Sequence, residues 1–319
     1  MNTLKPTVKL AVLVACAVLF AATMIGLSVR SHPYVRGESY GPGGDKKSEK
    51  TFSVSPGGKL IVKADEGDIT ISGTESSEVS VRVYARGSDE QLRRFDVQMN
   101  QEGNDVRIDG RQERKYFHLF ENNSLDVQYD IHVPRDFNLD LGTAGGNITV
   151  DNVKGAVDGG TSGGDLDLSR LEGKVNLTTS GGNIGIRESN GGFTLETSGG
   201  NIRAEAIVGD MSLETSGGNI DLRNGDGKLT ASTSGGNIRV QLRDNKGIDL
   251  STSGGNLTVR LPKTTSGDVR AEATGGDVNC EFEFSGKLKD GSLNGKINGG
   301  GNPIRLETSG GDIMINSIE

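Results

Sequence analysis

The amino-acid sequence predicts an all-β fold: a right-handed parallel β-solenoid (β-helix) with 18-residue coils, preceded by an N-terminal transmembrane or signal helix. Three observations predict it. A six-residue motif recurs every 18 residues, apolar and polar side chains alternate strictly around each copy, and glycine supplies 49 of 319 residues, about twice the usual ~7%. A thick aromatic core is excluded, because tryptophan is absent and aromatics are 4% of the chain. Collagen is excluded as well, since glycine does not recur at every third position and there are only 7 prolines.

The N-terminus sets the compartment. Lys5 and Lys9 precede an uncharged, Leu/Ala/Val-rich run from Leu10 to Val29. A basic start before an apolar run is the pattern of a secretory signal or a membrane anchor, and its length is close to the ~20 residues that span a bilayer. Leu13-Val14-Ala15-Cys16 also has the form of a lipobox, although the residues after Cys16 stay apolar. Residues 1–30 are therefore expected to be a signal peptide or N-terminal membrane anchor. Residues 31–50, with Pro33, Pro42 and several glycines and lysines, are expected to be a flexible tether. The expected location is the cell envelope, with the body exported or membrane-anchored and extracytoplasmic.

Charge limits the partners. Residues 1–50 hold 7 Lys+Arg and 3 Asp+Glu, leaving 28 and 40 for residues 51–319, a net of −12. So acidic a body is a poor match for phosphate backbones, and nucleic acid is excluded as a partner. The membrane, reached through the N-terminal segment, and an envelope glycan or protein remain.

The repeat begins in full at Thr143. Thr-Ser-Gly-Gly-Asn-Ile stands at Thr179, Thr197, Thr215 and Thr233, with variants at Thr143, Thr161, Thr252, Ala273 and Thr308. Two apolar positions flank each motif on either side, as in Met211 and Leu213 before Thr215, then Ile220 and Leu222 after it, with Gly159 the one exception; the residues between them are not apolar, with Met314 the one exception. That is the period-2 signature of strands with one buried face. Copies of equal length bury such faces by stacking, each strand pairing with its equivalent one repeat away. Glycines at the Gly-Gly turn, and at a second corner (Gly155, Gly173, Gly191, Gly209, Gly227), are expected to supply positive φ.

Residues 51–142 alternate without a fixed period and are expected to form an irregular N-terminal β region that caps the solenoid. Residues 143–319 are expected to be regular repeats with an irregular stretch near 279–303. One degenerate coil is expected between Gly276 and Thr308, and residues 312–319 are expected to be the last strand, at an open edge.

No residue set points to catalysis or to a metal, and no cofactor is expected. The Asn/Asp column (Asn147, Asp165, Asn183 and onward) has the wrong composition for a calcium row and suits a ladder of side-chain amides. Histidine occurs three times, as His32, His118 and His132, with no acid or cysteine cluster around it. Cys280 continues an inward aliphatic column. The segment Arg114, Lys115, Tyr116, Phe117 and His118 concentrates basic and aromatic residues, and is the candidate partner-contact loop.

The Thr-Ser-Gly-Gly-Asn-Ile copies and the closing Asn294-Gly-Lys-Ile-Asn-Gly-Gly-Gly segment resemble the bacterial adhesin-like family of β-strand-repeat proteins, whose function is largely unassigned. The resemblance covers residues 51–319. It implies a non-enzymatic cell-envelope protein acting as an adhesin-like binding or scaffolding surface, and it transfers no catalytic residue. An envelope-stress sensory module and a polysaccharide-active β-helix enzyme are the alternatives.

Overall fold

The computed structural model describes residues 39–41, 45–113 and 125–319. The apolar segment 10–29 and the candidate loop Arg114–His118 lie outside these residues. Among the described residues no helix is long and apolar enough to cross a membrane.

The N-terminal part is assembled from β1 (Ser39–Gly41), β2 (Asp45–Ser53), β3 (Lys59–Ala64), β4 (Asp68–Thr74), β5 (Glu78–Arg86), a six-residue helix α1 (Asp89–Arg94), β6 (Phe95–Glu102), β7 (Asp105–Gln112) and β8 (Asp126–Pro134). A Ser88/Gln91 capping box starts α1. Residues 45–50, assigned from the sequence to the tether, form the first part of β2, which pairs antiparallel with β5 over its whole length. There Lys46 donates to the Phe95 carbonyl, which holds a lysine at a buried position.

The regular part follows as β9 (Asn138–Thr143), β10 (Ile148–Asp151), β11 (Val157–Thr161), β12 (Leu166–Ser169), β13 (Glu172–Thr179), β14 (Ile184–Thr197), β15 (Ile202–Val208), β16 (Met211–Thr215), β17 (Ile220–Gly225), β18 (Leu229–Thr233), β19 (Ile238–Leu242), β20 (Ile248–Thr252) and β21 (Leu257–Pro262). These strands stack as two parallel ladders. Ladder one runs β9, β11, β13, the second half of β14, β16, β18 and β20. Ladder two runs β10, β12, the first half of β14, β15, β17, β19 and β21. Partners stand 18 residues apart, as in Ile202 against Ile220, and 19 apart at Leu229 and Ile248.

Between the ladders lie the inward columns. Leu195, Ile202, Ile220, Leu250 and Leu257 are at most 0% exposed. Each such aliphatic contributes roughly 1.5–3 kcal/mol on burial. Tyr129 is the largest fully buried side chain among the described residues. It occupies the column position of Ile69, and it fits because Gly110 places no side chain in front of its hydroxyl.

The motif's residues satisfy one another across tiers. The Thr215 hydroxyl donates to the Gly200 carbonyl at 2.8 Å and accepts from the Gly218 amide at 3.2 Å; the same pair of bonds recurs at Thr179, Thr197, Thr233, Thr252 and Thr308. Each Asn or Asp side-chain oxygen accepts the next tier's backbone amide, from Asp68 through Asn147, Asp165, Asn183 and Asn201 to Asn219, Asn237 and Asn256. The amide-ladder reading of this column is what the structure contains. Replacing Thr215 by Val leaves a carbonyl and an amide unpaired in a buried corner. The expected cost is about 1–3 kcal/mol in urea unfolding, against under ~0.5 kcal/mol for Ser216→Ala.

The glycine expectation needs correction. The motif's Gly-Gly turns have no positive φ; at the second corner Gly155, Gly173, Gly191 and Gly209 do, with 153°, 133°, 150° and 118°, but Gly227 does not, and there a Cβ would instead overlap the Gly209 carbonyl. The second glycine of each pair is required for close approach instead, because a Cβ on Gly218 would overlap the Gly200 carbonyl. A third corner repeats the left-handed conformation without glycine, at Asn152, Arg170, Glu188, Ala206 and Asn224, with φ between 51° and 57°. That conformation costs an L-residue roughly 1–2 kcal/mol. Ala206→Gly is expected to raise stability by about 0.5–1 kcal/mol in thermal unfolding, after the added unfolded-state entropy.

The chain ends on β22 (Gly267–Ala273), β23 (Val278–Cys280), β24 (Phe284–Lys289), β25 (Ser292–Ile297), β26 (Pro303–Thr308) and β27 (Ile313–Ile318). Three expectations are overturned here or upstream. First, the last tier is internal: β26 pairs with β20 on one side and β22 on the other, and β27 pairs with both β21 and β23. Second, residues 284–297 are an antiparallel hairpin, β24–β25, laid on the outer edge of β22, rather than a degenerate coil. Third, the regular stack begins before residue 143. The tier β3–β4 pairs in register with β9 and β10, and lies between them and β7–β8. Ala64-Asp-Glu-Gly-Asp-Ile69 is thus a diverged copy of the motif, with Ala64 opposite Thr143 and Ile69 opposite Ile148.

Candidate functional site

With the inward columns committed to packing and the corners to hydrogen bonding, the outward positions of the strands are where tiers differ. On ladder two, one arginine stands on each of five successive tiers: Arg187 on β14, Arg203 on β15, Arg223 on β17, Arg239 on β19 and Arg260 on β21, all exposed. The register places them in two alternating columns. Gly185, Arg203, Asp221, Arg239 and Thr258 form one; Arg187, Glu205 and Arg223, then Gln241 and Arg260, form the other. These ten positions carry five cations and two carboxylates.

Ladder one is the opposite. From Phe193 to β20 its outward residues inside the strands are Thr194, Glu196, Ser212, Glu214, Thr230, Ser232, Asp249 and Ser251. They carry three acids, five hydroxyls and no cation. The acidic body, net −12, therefore carries a cationic stretch on ladder two from β14 to β21.

Two of the five arginines are engaged. Arg187 pairs with Asp167 at 3.0 Å, and Arg239 with Asp221 at 3.7 Å. Among the described residues Arg203, Arg223 and Arg260 form no ion pair. A shallow hollow of about 70 Å³ opens among Asp221, Arg223, Arg239, Gln241, Thr258 and Arg260. It lies beside the shift in register between β17 and β19 after Leu222. Three guanidinium groups around one carboxylate make this an anion-attracting dent.

A second, wider hollow of about 730 Å³ lies at the C-terminal end, where β25 continues the sheet beyond β22; Arg270, Lys296, Arg305, Asn294 and Ser285 line it with Asp268. Arg270 and Arg305 stand directly opposite each other. Neither hollow contains the two facing carboxylates that glycoside hydrolysis uses.

Among the described residues, the groups with shifted protonation do not gather at a site. Burial pushes the Tyr129 phenol up, with Asp65 and Glu66 adding to the shift, so it stays protonated. Burial also raises the half-buried Cys280 thiol, which disfavours the reactive thiolate. Among the described residues no three His, Cys, Asp or Glu side chains group to hold a metal. Glu196 is raised by burial and then by Glu214, its direct cross-strand neighbour. A carboxyl raised in the folded state loses stability as pH climbs from its unfolded value through its folded one. Glu196→Gln is thus expected to stabilise the protein at neutral pH. The gain should vanish below the ordinary carboxylate range, as seen in melting temperatures against pH.

A family model described as Toastrack DUF4097 matches residues 58–316. Among solved structures, one named "putative adhesin" from Bacteroides fragilis is 13% identical, with a TM-score of 0.42 over 86% of this chain and 97% of its own. Another of that name from Parabacteroides distasonis is 11% identical, with a TM-score of 0.35 over 86% and 98%. A "putative lipid binding protein" from the same organism is 14% identical, with a TM-score of 0.28 over 88% and 98%. No protein of curated function matches.

Proposed function

The chain belongs to the Toastrack DUF4097 family, and on that premise we propose that it is a non-enzymatic binding or scaffolding protein of the cell envelope. Its N-terminal segment would anchor or export it, and its stacked tiers would wind as a right-handed parallel β-solenoid that holds two flat faces apart. One observation carries the reading: from β14 to β21, outward positions with no packing duty segregate charge, with five arginines on ladder two and acids and hydroxyls without a cation on ladder one. A rigid sheet that sorts its exposed side chains in this way suits recognition of an extended partner. The names of the solved relatives, adhesin and lipid-binding protein, are of the same binding kind.

The test is a glycan array probed with the detergent-solubilised full chain, with reducing-sugar release followed on every ligand bound. Binding without release is the expected result. Release of new reducing ends would replace this reading with the enzymatic one. Fractionation of the producing cells checks the compartment, and recovery in the cytosol would overturn the envelope assignment.

A further inference from the structure

We propose that the arginine zigzag of ladder two is a docking track for a linear polysaccharide that carries carboxylates, a polyuronate. This deepens the binding-surface reading above and rests on it. The track is a consequence of register. Strands of neighbouring tiers lie about 4.8 Å apart, so five arginines on five successive tiers extend over roughly 19 Å. Alternation between two columns staggers them on either side of a line along the stack. A partner lying on that line meets one guanidinium per tier. Repetition of this kind fits a repeating polymer better than a small ligand.

The chemistry of the intervening residues selects the polymer. Guanidinium forks bind carboxylate and phosphate alike. Yet Glu205 and Asp221 sit within the track. Duplex nucleic acid carries a charge every ~1.7 Å and could not avoid them. None of the ten outward positions is aromatic, so unstacked bases find no platform. None is a large apolar side chain, so a bilayer finds nothing to take up. A polyuronate spaces its charges by whole sugars and offers hydroxyls between them. Glu205 and Asp221 can accept from those hydroxyls, and Gln241 and Thr258 can both donate and accept. The dent among Arg223, Arg239 and Arg260 is of a size for a single carboxylate group.

The experiment uses the full-length protein and four probes: polygalacturonate, a neutral β-glucan of similar length, single-stranded DNA, and phosphatidylglycerol vesicles. The variants are a track triple, Arg203→Ala with Arg223→Ala and Arg239→Ala, and a control triple at the C-terminal hollow, Arg270→Ala with Lys296→Ala and Arg305→Ala. Both triples remove three positive charges. Polygalacturonate binding that weakens with salt is expected. The track triple should lose on the order of 30-fold in affinity and the control triple no more than about twofold. Should the alanine triple unfold, three Arg→Lys changes keep the charge, and an intermediate loss then reports the missing fork.

Equal losses in the two triples would overturn the track, as would tighter binding of DNA or of vesicles. Binding of neutral glucan alone would overturn the track and leave the binding-surface reading standing. No binding of any of the four probes would also overturn the track, with the glycan array deciding the broader reading.

Discussion

Gly218→Ala is expected to cost at least about 3 kcal/mol, whereas Gly217→Ala, one residue away, is expected to cost less than about 1 kcal/mol. The two glycines look equivalent in Thr215-Ser-Gly-Gly-Asn-Ile. Their surroundings differ. A methyl on Gly217 would meet the Gly199 carbonyl at 3.6 Å, an ordinary contact; a methyl on Gly218 would overlap the backbone carbonyl of Gly200. That carbonyl has no freedom to retreat, because it accepts the Thr215 hydroxyl. Moving the whole turn apart would break the 2.9 Å bond from the Asn219 amide to the Asn201 side chain. It would also open the columns at Ile202 and Ile220, both 0% exposed. In a stack whose stability is a sum of neighbour terms, a fault at a middle tier uncouples two halves. Urea denaturation is the measurement: an unfolding free energy for Gly218→Ala within about 1 kcal/mol of the parent would refute the close-approach account.

This contrast also shows what a sequence of this kind leaves hidden. The 18-residue period and the inward parity were legible because packing imposes them on every copy; of the two inward positions on either side of the nine motif copies only Gly159 is not apolar, and Ile220 and Leu222 are buried as the alternation requires. The reason for the turn glycines was not legible, since positive φ and close approach both select glycine. The arginine track was legible in part. Arg203 and Arg239 stand in the column between the apolar pair, but Arg187, Arg223 and Arg260 stand one position beyond it, and the pattern appears only when both columns are set side by side. The diverged motif Ala64–Ile69 escaped because Thr, Ser, the first Gly and Asn are all replaced, while the register that defines it depends on strands 70 to 80 residues away. Tier order escaped for the same reason: the repeat names equivalent strands without saying which of them become neighbours.

Removal of residues 303–319 tests that order, and its expected effect is larger than the loss of one end tier. In a stack ordered by sequence, the cut would take only the last strands and leave Gly267–Cys280 folded. Here β26 and β27 stand between β20–β21 and β22–β23. Ile304, Leu306, Ile313 and Ile315 are all at most 2% exposed, and their burial is worth roughly 6–12 kcal/mol, comparable to the whole stability of an ordinary domain. Without them β22 keeps only its antiparallel partner β25, and β23 keeps no strand partner among the described residues. The segment 267–301 is therefore expected to lose amide-exchange protection and become cleavable, while β9–β19 stay protected. A cut after Pro262, which removes the orphaned segment as well, should behave no worse in the same proteolysis assay. Protection of 267–280 in the shorter truncation would contradict the threaded order. The mirror arrangement at the other end, with β3–β4 between β7–β8 and β9–β10, gives the reason for such threading. Each end of the stack is closed by a segment that is not a chain terminus. On ladder one the two outermost regular strands, β7 and β22, are each covered by an antiparallel neighbour, β6 or β25, so neither presents an open parallel edge to a second molecule.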